Sequence, residues 1–389
     1  MSVSKRVFGQ LEQASWIRRM FEEGARLKAE RGADRVFDYT LGNPEVEPPA
    51  GVLATLRRVA GESRPNTHGY MPNAGFAAVR AEIARRLAAR TGLPYTADHI
   101  LMTPGSAGAM NVALKAMLDP GSEVIVLAPY FPEYRFYIEN HNGCMVLVDT
   151  DDAFQPDVDR IAASITPRTK AIVLNSPNNP TGALYSERVL RDLDALLSQH
   201  EDIVVLSDEP YRLLVYDGGA APDPARHVAR TLIADSWSKS MAIAGERIGY
   251  LAISPRVAEW AALRDACTFA NRVLGYVNAS ALWQFVVAES PEETVDVGLY
   301  EAKRDLLCGA LARMGYELTK PAGAFYVFPK TPVADDVAFI RALVEEGILA
   351  VPGSGFGRRG HMRLSLTVPM RMIEASLPGF ERALAATRV

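Results

Sequence analysis

One lysine in the sequence is placed for covalent chemistry. The segment DSWSKS, residues 235–240, sets Lys239 between two serines directly after the apolar run TLIA. A lysine that forms a Schiff base with an aldehyde must be fixed, reachable and at times unprotonated, which requires a partly desolvated pocket. Arg247 follows eight residues later and could bind a phosphate. Fully extended, that interval could span about 26 Å, so both groups meet one ligand only if the chain bends, as Gly245 permits.

The alternative for a single SxSK segment is a surface lysine that follows a strand. The polar segments that follow other apolar runs of the chain decide between the two interpretations. Apolar runs alternate with helical stretches from about residue 100 onward, which predicts an α/β fold with a largely parallel sheet covered on both faces. Four of these runs end in polar segments: EVIVLA before PYFP, KAIVL before NSPNNPTG, DIVVL before SDEPY, and TLIA before DSWSK.

Ligands of open α/β sheets bind at the carboxyl ends of the strands, so these four polar segments are expected to form one site. Phe131, in the first segment, could stack on a flat heteroaromatic ring, or could be an ordinary core residue. The turn at Gly105, Ser106 and Ala107 opens a helix whose free N–H groups could bind an anion. Many helices begin this way, so the turn alone indicates little.

Composition excludes several classes of function. The 389 residues carry a formal net charge of −4 and 23% charged residues, so no nucleic-acid partner is expected. Cys144, Cys267 and Cys308 lie far apart without metal-ligand spacing, which predicts neither a disulfide framework nor a metal site. The N-terminus lacks an apolar signal region and no apolar run approaches about 20 residues. We therefore expect a cytoplasmic protein without a membrane span.

The combination of NNPTG, SDExY, SxSK, an arginine eight residues later, and RLSL resembles the class I/II aminotransferases from about Gly42 to the C-terminus. These are fold type I pyridoxal 5'-phosphate enzymes of the aspartate aminotransferase superfamily. The resemblance implies a large domain with a mostly parallel sheet and a smaller α+β domain. The expected division is an N-terminal arm and helix at 1–40 packing with the small domain, a large cofactor-binding domain at 41–299, and a small domain at 300–389.

The resemblance also implies roles around the cofactor ring. Lys239 would hold the cofactor and later move a proton. Asp208 would pair with the protonated ring nitrogen, which a buried carboxylate favours, although a single aspartate at a strand end can equally close a turn. Tyr211 and Asn179 would hydrogen-bond the ring oxygen.

Around the phosphate, the resemblance implies contacts from Arg247, Ser236, Ser238 and the turn at residues 105–107. Ala107 stands where the family often has a hydroxyl residue, so its contact would be through the backbone alone. Tyr70, in the segment YxxxxGxxxxR, matches a tyrosine that reaches the cofactor of the neighbouring subunit. A homodimer follows if that role carries over, whereas position alone favours an ordinary loop tyrosine.

For the substrate, the resemblance implies that Arg363 and Asn179 bind the α-carboxylate and that Gly42 lies close to it in a covering loop. A plain connector is an equal alternative for the Gly42 loop, and a solvent-exposed strand edge is one for Arg363. Arg272 could bind a distal carboxylate, although a surface or helix-pairing role is preferred. Neutral or aromatic substrates would be indicated if the pocket were lined by Trp16, Ile17 and Tyr39.

The predicted function is transfer of an amino group from an L-amino acid to a 2-oxo acid by a ping-pong mechanism. A β-eliminating lyase on the same scaffold is the first alternative, because the cofactor residues do not separate the two reactions. A catalytically silent regulatory homologue is the second. The glycines at 355, 357 and 360 satisfy GxGxxG, but a strand-like segment follows them, so a dinucleotide site is rejected. Helices are also predicted over 11–31 and, as one long element, from Asn278.

Overall fold

The structure is a computed structural model that describes residues 2–13, 23–24, 26–65 and 67–387. Its centre is a seven-stranded sheet with the strand order β2-β8-β7-β6-β5-β3-β4. Every strand pair is parallel except the two that β8 makes with β2 and β7. The strands are β2 (Ile100–Thr103), β3 (Glu123–Ala128), β4 (Cys144–Asp149), β5 (Thr169–Asn175), β6 (Val204–Asp208), β7 (Thr231–Ser236) and β8 (Gly249–Ile253).

Alternating side chains of this sheet enter apolar layers on its two faces. On one face, Val173 and Leu206 pack in a cluster with Ala109 of the helix that follows β2. On the other face, Ile172 and Val205 pack in a second cluster with Leu193. Strands buried on both faces read as continuous apolar runs, which is why their sequences lack a polar alternation. The predicted fold class is therefore observed.

Helices surround the sheet and complete the C-terminal region. They are α1 (Lys5–Gln13), α2 (Ala50–Gly61), α3 (Ala77–Thr91), α4 (Gly105–Met117), α5 (Glu133–Asn140), α6 (Val158–Ser164), α7 (Glu187–Leu197), α8 (Pro224–His227), α9 (Trp260–Val273), α10 (Ala281–Glu289), α11 (Val297–Met314), α12 (Asp336–Glu345) and α13 (Met370–Ala386). No helix of the described ranges is both long and apolar enough to cross a membrane.

Two small sheets lie in the C-terminal part. Strands β9 (Tyr326–Val327), β11 (Val351–Pro352) and β12 (Met362–Ser365) form an antiparallel sheet in the order β11-β12-β9. Strands β1 (Phe37–Asp38) and β10 (Ile348–Leu349) pair in parallel. The glycines at 355, 357 and 360 lead into β12 and not into a helix, which agrees with the rejection of a dinucleotide site. The domain bounds 1–40, 41–299 and 300–389 stay a prediction.

The helix expected over 11–31 lies partly outside the described residues, which leave out 14–22, with Trp16 and Ile17, and residue 25. The described residues 11–13, 23–24 and 26–31 are helical, and 11–13 belong to α1, which begins at Lys5. The long helix from Asn278 is divided, because α10 ends at Glu289 and the sequence Ser290-Pro291 follows before α11 begins. A proline disfavours the helical conformation of the residue before it.

Gly182 lies in the loop after β5 and packs against the segment that precedes β9. Its φ of +69° is in the left-handed region, and a Cβ there would clash with Pro321 and lie 2.6 Å from Gly323 O. Gly218 has a similar φ of +66° with no atom within 4 Å of a built Cβ. We expect Gly218→Ala to cost about 1–2 kcal/mol of stability from backbone strain alone. Gly182→Ala adds overpacking, typically about 1–3 kcal/mol.

The measurement is the thermal unfolding midpoint of both variants. Gly182→Ala should lower it clearly more than Gly218→Ala. Equal midpoints for the two variants would show that the packing of Gly182 against residues 321–323 adds nothing to the strain.

Candidate active site

A cavity of about 360 Å³ opens at the carboxyl ends of β5, β6 and β7. The expected site residues that line it are Gly42, Ser106, Ala107, Phe131, Asn179, Asp208, Tyr211, Ser236, Ser238, Lys239, Arg247 and Arg363. These residues come from segments more than 300 positions apart in the chain. The parallel sheet is what brings them together, because it delivers each strand end to the same edge.

Asp208 ends β6 and is buried in the floor of the cavity. Its Oδ2 accepts a hydrogen bond of 2.6 Å from the Tyr134 hydroxyl, whereas its Oδ1 is buried and has no partner among the described residues. Burial raises the pKa of Asp208 to about 6, although the Tyr134 hydrogen bond opposes this shift. A half-satisfied buried carboxylate is costly, so this group is prepared to receive a cationic donor from a ligand.

Lys239 follows β7 and points into the same cavity. Its Nζ donates a 2.6 Å hydrogen bond to the carbonyl oxygen of Gly42. Burial, together with the positive charges of Arg247 and Arg363, lowers the pKa of Lys239 to about 8. About a tenth of the amine is therefore a free base at pH 7, far more than for an ordinary lysine, and a nucleophile or general base needs that form.

Arg247 has a φ of +52°, an unusual left-handed conformation for a residue with a side chain. This bend turns the chain back, and the Arg247 guanidinium donates 2.9 Å to the carbonyl oxygen of Ala244. Gly105 lies beside it, since a Cβ at Gly105 would be 2.9 Å from Arg247 Nη2. Gly105 does not line the cavity itself, but its missing side chain leaves the guanidinium its place at the start of α4. An arginine beside a helix N-terminus is an arrangement suited to an anion.

Arg363 is buried on β12 and contacts residues from two other segments. Its Nη1 donates 3.1 Å to Asn179 Oδ1, and its Nη2 donates 2.6 Å to the carbonyl oxygen of Thr40. The guanidinium lies 4.6 Å from the ring centre of Tyr326, and its Nε has no partner among the described residues. A fixed guanidinium with an unused donor is suited to a carboxylate ligand.

Two pairs of aromatic side chains complete the walls of the cavity. The hydroxyls of Tyr211 and Tyr326 are 3.1 Å apart. The Phe131 ring meets the Tyr134 ring edge to face, with 5.6 Å between their centroids. The tyrosine pair presents hydroxyl groups and the Phe131 pair presents aromatic rings to the space next to Asp208, where a flat ring could lie.

Some expected residues lie elsewhere. Tyr70 is 98% exposed and outside the cavity of its own chain. Arg272 is exposed and stacks on Phe269, with 5.4 Å between its Cζ and the ring centroid, so the structure places it on the surface, as preferred. Tyr39 is buried behind the site and shares a 2.7 Å hydrogen bond with Ser376, so it does not line the pocket.

Sequence reasoning missed Tyr134, Tyr326 and Glu133, all of which line the cavity. The signal for Glu133 and Tyr134 was their place in PYFPEY, only two and three residues after Phe131 at a strand end. Tyr326 lies in the segment AGAFYVFP, where no spacing marked it. No cluster of His, Cys, Asp or Glu able to hold a metal ion occurs in the described part of the chain.

The geometry can now be compared with known proteins. A sequence profile of the family aminotransferase class I and II matches residues 36–377. The chain belongs to this family. The aspartate/prephenate aminotransferase of Thermus thermophilus is 34% identical over 364 residues, 91% of this chain and 92% of that protein. The aspartate aminotransferase of Geobacillus stearothermophilus is 30% identical over 410 residues, 99% of this chain and 100% of that protein.

Solved structures agree with this assignment. The crystal structure of an amino transferase from Eubacterium rectale has a TM-score of 0.95 and 36% identity, and 99% of each chain is covered. The aspartate aminotransferase of Thermus thermophilus with maleate has a TM-score of 0.86 and 30% identity, covering 99% of this chain and 100% of that one. The predicted family, fold and aminotransferase activity are thereby confirmed.

The lowered pKa of Lys239 can be tested without turnover. In protein freed of small carbonyl compounds, an amine-selective acylating reagent should modify Lys239 half-maximally near pH 8. Ordinary exposed lysines need a pH near about 10.4. The readout is peptide mapping by mass, which separates Lys239 from Lys303, whose pKa burial also lowers to about 8.

A matched pair of variants tests the cause of that shift. Arg247→Met removes a nearby positive charge and should move the Lys239 profile to higher pH. Arg313→Met, at an exposed position on α11, should leave it unchanged. A Lys239 profile that does not respond to Arg247→Met would contradict the electrostatic coupling of these two residues.

Proposed function

We propose that this aminotransferase uses pyridoxal 5'-phosphate held by Lys239 and transfers an amino group from an L-amino acid to a 2-oxo acid in two half-reactions. The observation that carries the proposal is the pairing, in one cavity, of a buried lysine with a pKa of about 8 and a buried carboxylate with a free oxygen. The cofactor and the role of each residue are part of this proposal.

The cavity residues fit that cofactor. The unpartnered Oδ1 of Asp208 is available to a protonated ring nitrogen, and a hydrogen bond to a charged group is worth about 1.5–3 kcal/mol. A Cβ at residue 105 would be too close to the Arg247 guanidinium, so this position suits glycine. Without a side chain there, a phosphate can approach the backbone of residues 105–107 closely. Ser236 and Ser238 line the same cavity and supply hydroxyl groups as hydrogen-bond donors.

When bound, pyridoxal phosphate supplies an aldehyde that accepts amino groups and a ring that withdraws electrons from the substrate α-carbon. The Asp208 carboxylate stabilises a positive charge at the position of the ring nitrogen. The Tyr134 hydroxyl holds this carboxylate in place by a hydrogen bond to Oδ2. Phe131 provides an apolar surface for the ring. Tyr211 and Asn179 offer hydrogen bonds to its oxygen substituent.

Lys239 acts on the proton of the substrate α-carbon. Its lowered pKa leaves the amine able to take that proton and to return it, as a general base and then a general acid. The Gly42 carbonyl, 2.6 Å from Nζ, limits where the amine can lie. Arg363 and Asn179 bind the α-carboxylate, and so they fix which α-carbon bond faces the lysine.

Tyr70 extends the proposal to a homodimer. Its exposure of 98% in one chain leaves the side chain available to a second copy. We place its hydroxyl at the phosphate of the neighbouring subunit's cofactor, so that each active site needs both chains. Location in the cytoplasm stays a prediction.

The decisive experiment separates the two half-reactions. We expect one amino acid, added without any oxo acid, to abolish the visible absorption band of the protein-bound cofactor and to release about one equivalent of oxo acid per chain. A 2-oxo acid should then restore the band. Lys239→Ala should abolish both changes, whereas Lys170→Ala, at a partly exposed position of β5, should leave them intact.

Other outcomes of this experiment are informative as well. Continuous release of pyruvate and ammonia from a β-substituted amino acid, with no need for an oxo acid, would favour the β-eliminating lyase. A folded protein that does not bind pyridoxal phosphate would overturn the role given to Lys239.

Hybrid dimers test the position of Tyr70. Lys239→Ala and Tyr70→Ala proteins should each have little activity, but a heterodimer of the two contains one site with both native residues. After subunit exchange of an equal mixture, roughly a quarter of wild-type activity should return, because half of the dimers are hybrid and each has one complete site. Heterodimers that form without any return of activity would show that Tyr70 serves the active site of its own chain.

A further inference from the structure

The active-site cavity contains a second carboxylate that the proposed mechanism does not use. Glu133 is the first residue of α5 and lines the cavity together with Tyr137 and Tyr326. Its Oε2 is buried and has no hydrogen-bond partner among the described residues. An acceptor in that state is costly to the folded protein unless a donor arrives from elsewhere.

The other charged groups of the cavity define what Glu133 can do. Among the described residues that line it, the cations are Lys239, Arg247 and Arg363. The proposed function assigns them to the amino-group chemistry, the phosphate and the α-carboxylate. No cation of the described chain is left in this cavity for a distal carboxylate. Glu133 would in addition repel one.

Neighbouring groups support the placement of Glu133 within the substrate space. The positive charge of Arg363 opposes the rise that burial causes in the pKa of Glu133. The negative charge of Glu133 contributes to the raised pKa of both Tyr137 and Tyr326. The carboxylate therefore lies near the arginine that would hold the substrate and near two phenol groups of the wall.

We propose that Glu133 selects amino donors whose side chain ends in a cationic nitrogen, an ammonium or a guanidinium group, and disfavours dicarboxylic amino acids. The inference rests on the proposed function, because it assumes that Arg363 binds the α-carboxylate. The relatives named for aspartate are 30–34% identical to this chain, and the inferred preference for cationic donors is the opposite of the one their names state. A desolvated carboxylate gives a cationic group a charge-assisted hydrogen bond that neutral and acidic side chains cannot form.

An alternative role for Glu133 is structural, since an acid in the first turn of a helix stabilises the helix dipole. Glu187 is a matched control for this effect. It also begins a helix, α7, but lies exposed on the surface and far from the cavity lining. Glu133→Gln and Glu187→Gln remove the same charge from equivalent helix positions.

The test uses calorimetric binding to the cofactor-loaded protein at one fixed neutral pH. The ligands are 4-guanidinobutanoate, hexanoate and adipate, which share a carboxylate and a similar length but lack a reactive amine. Wild-type protein should bind 4-guanidinobutanoate at least about tenfold more tightly than hexanoate, and adipate most weakly. Glu133→Gln should remove the preference for the guanidinium and improve adipate binding. Glu187→Gln should change nothing.

Three results would overturn the inference. One is adipate binding as tight as that of 4-guanidinobutanoate in the wild type. Another is a Glu133→Gln change that weakens all three ligands by the same factor, which indicates a structural role. The third is an equal effect of Glu187→Gln. Because the half-reactions with single amino acids are measured separately, a failure of this preference leaves the aminotransferase proposal standing.

Discussion

The buried carboxylate of Asp208 is the group on which the rest of the site depends. The parallel pairing of β5, β6 and β7 puts it at the centre of the sheet edge, and Asn175 Nδ2 secures the backbone there by donating 2.9 Å to the Asp208 carbonyl oxygen. The same Asn175 accepts a hydrogen bond from the backbone N–H of Asn179. One asparagine side chain thus links Asp208, the carboxylate proposed to bind the cofactor ring, to the loop of Asn179, which is proposed to contact the substrate.

A layer of buried charges behind the cavity supports this edge. Arg90 of α3 contacts Glu209 at 3.1 Å and Asp223 at 2.7 Å, and the Tyr250 hydroxyl donates 2.9 Å to Asp235. The Arg90 charge opposes the rise in the pKa of Glu209 that burial causes. Such groups stabilise little in sum, because desolvation offsets their attraction. Their effect is to fix the ends of β6 and β7, from which Asp208 and Lys239 project.

Local patterns predicted the parts of the site that strand ends carry. Asp208, Asn179 and Lys239 each lie within five residues of the end of an apolar run, and the sheet brings the ends of these runs to one edge. Contacts between distant segments had no such pattern: 74 residues separate Tyr134 from Asp208, and 115 separate Tyr211 from Tyr326. The division of the helix predicted from Asn278 shows the same limit, since that prediction placed no break at Ser290-Pro291.

The residues of the cavity lie on elements that differ in how tightly neighbouring residues constrain them. The groups proposed to act on every substrate lie on strand ends or on the buried β12, where their neighbours constrain them. Glu133 begins a helix of eight residues, and none of the hydrogen bonds that hold Asp208, Lys239 or Arg363 passes through its carboxylate. A substitution there can therefore alter the charge that meets a side chain while the reaction geometry is kept. Under these two proposals, different segments carry substrate choice and chemistry, so one can change without the other.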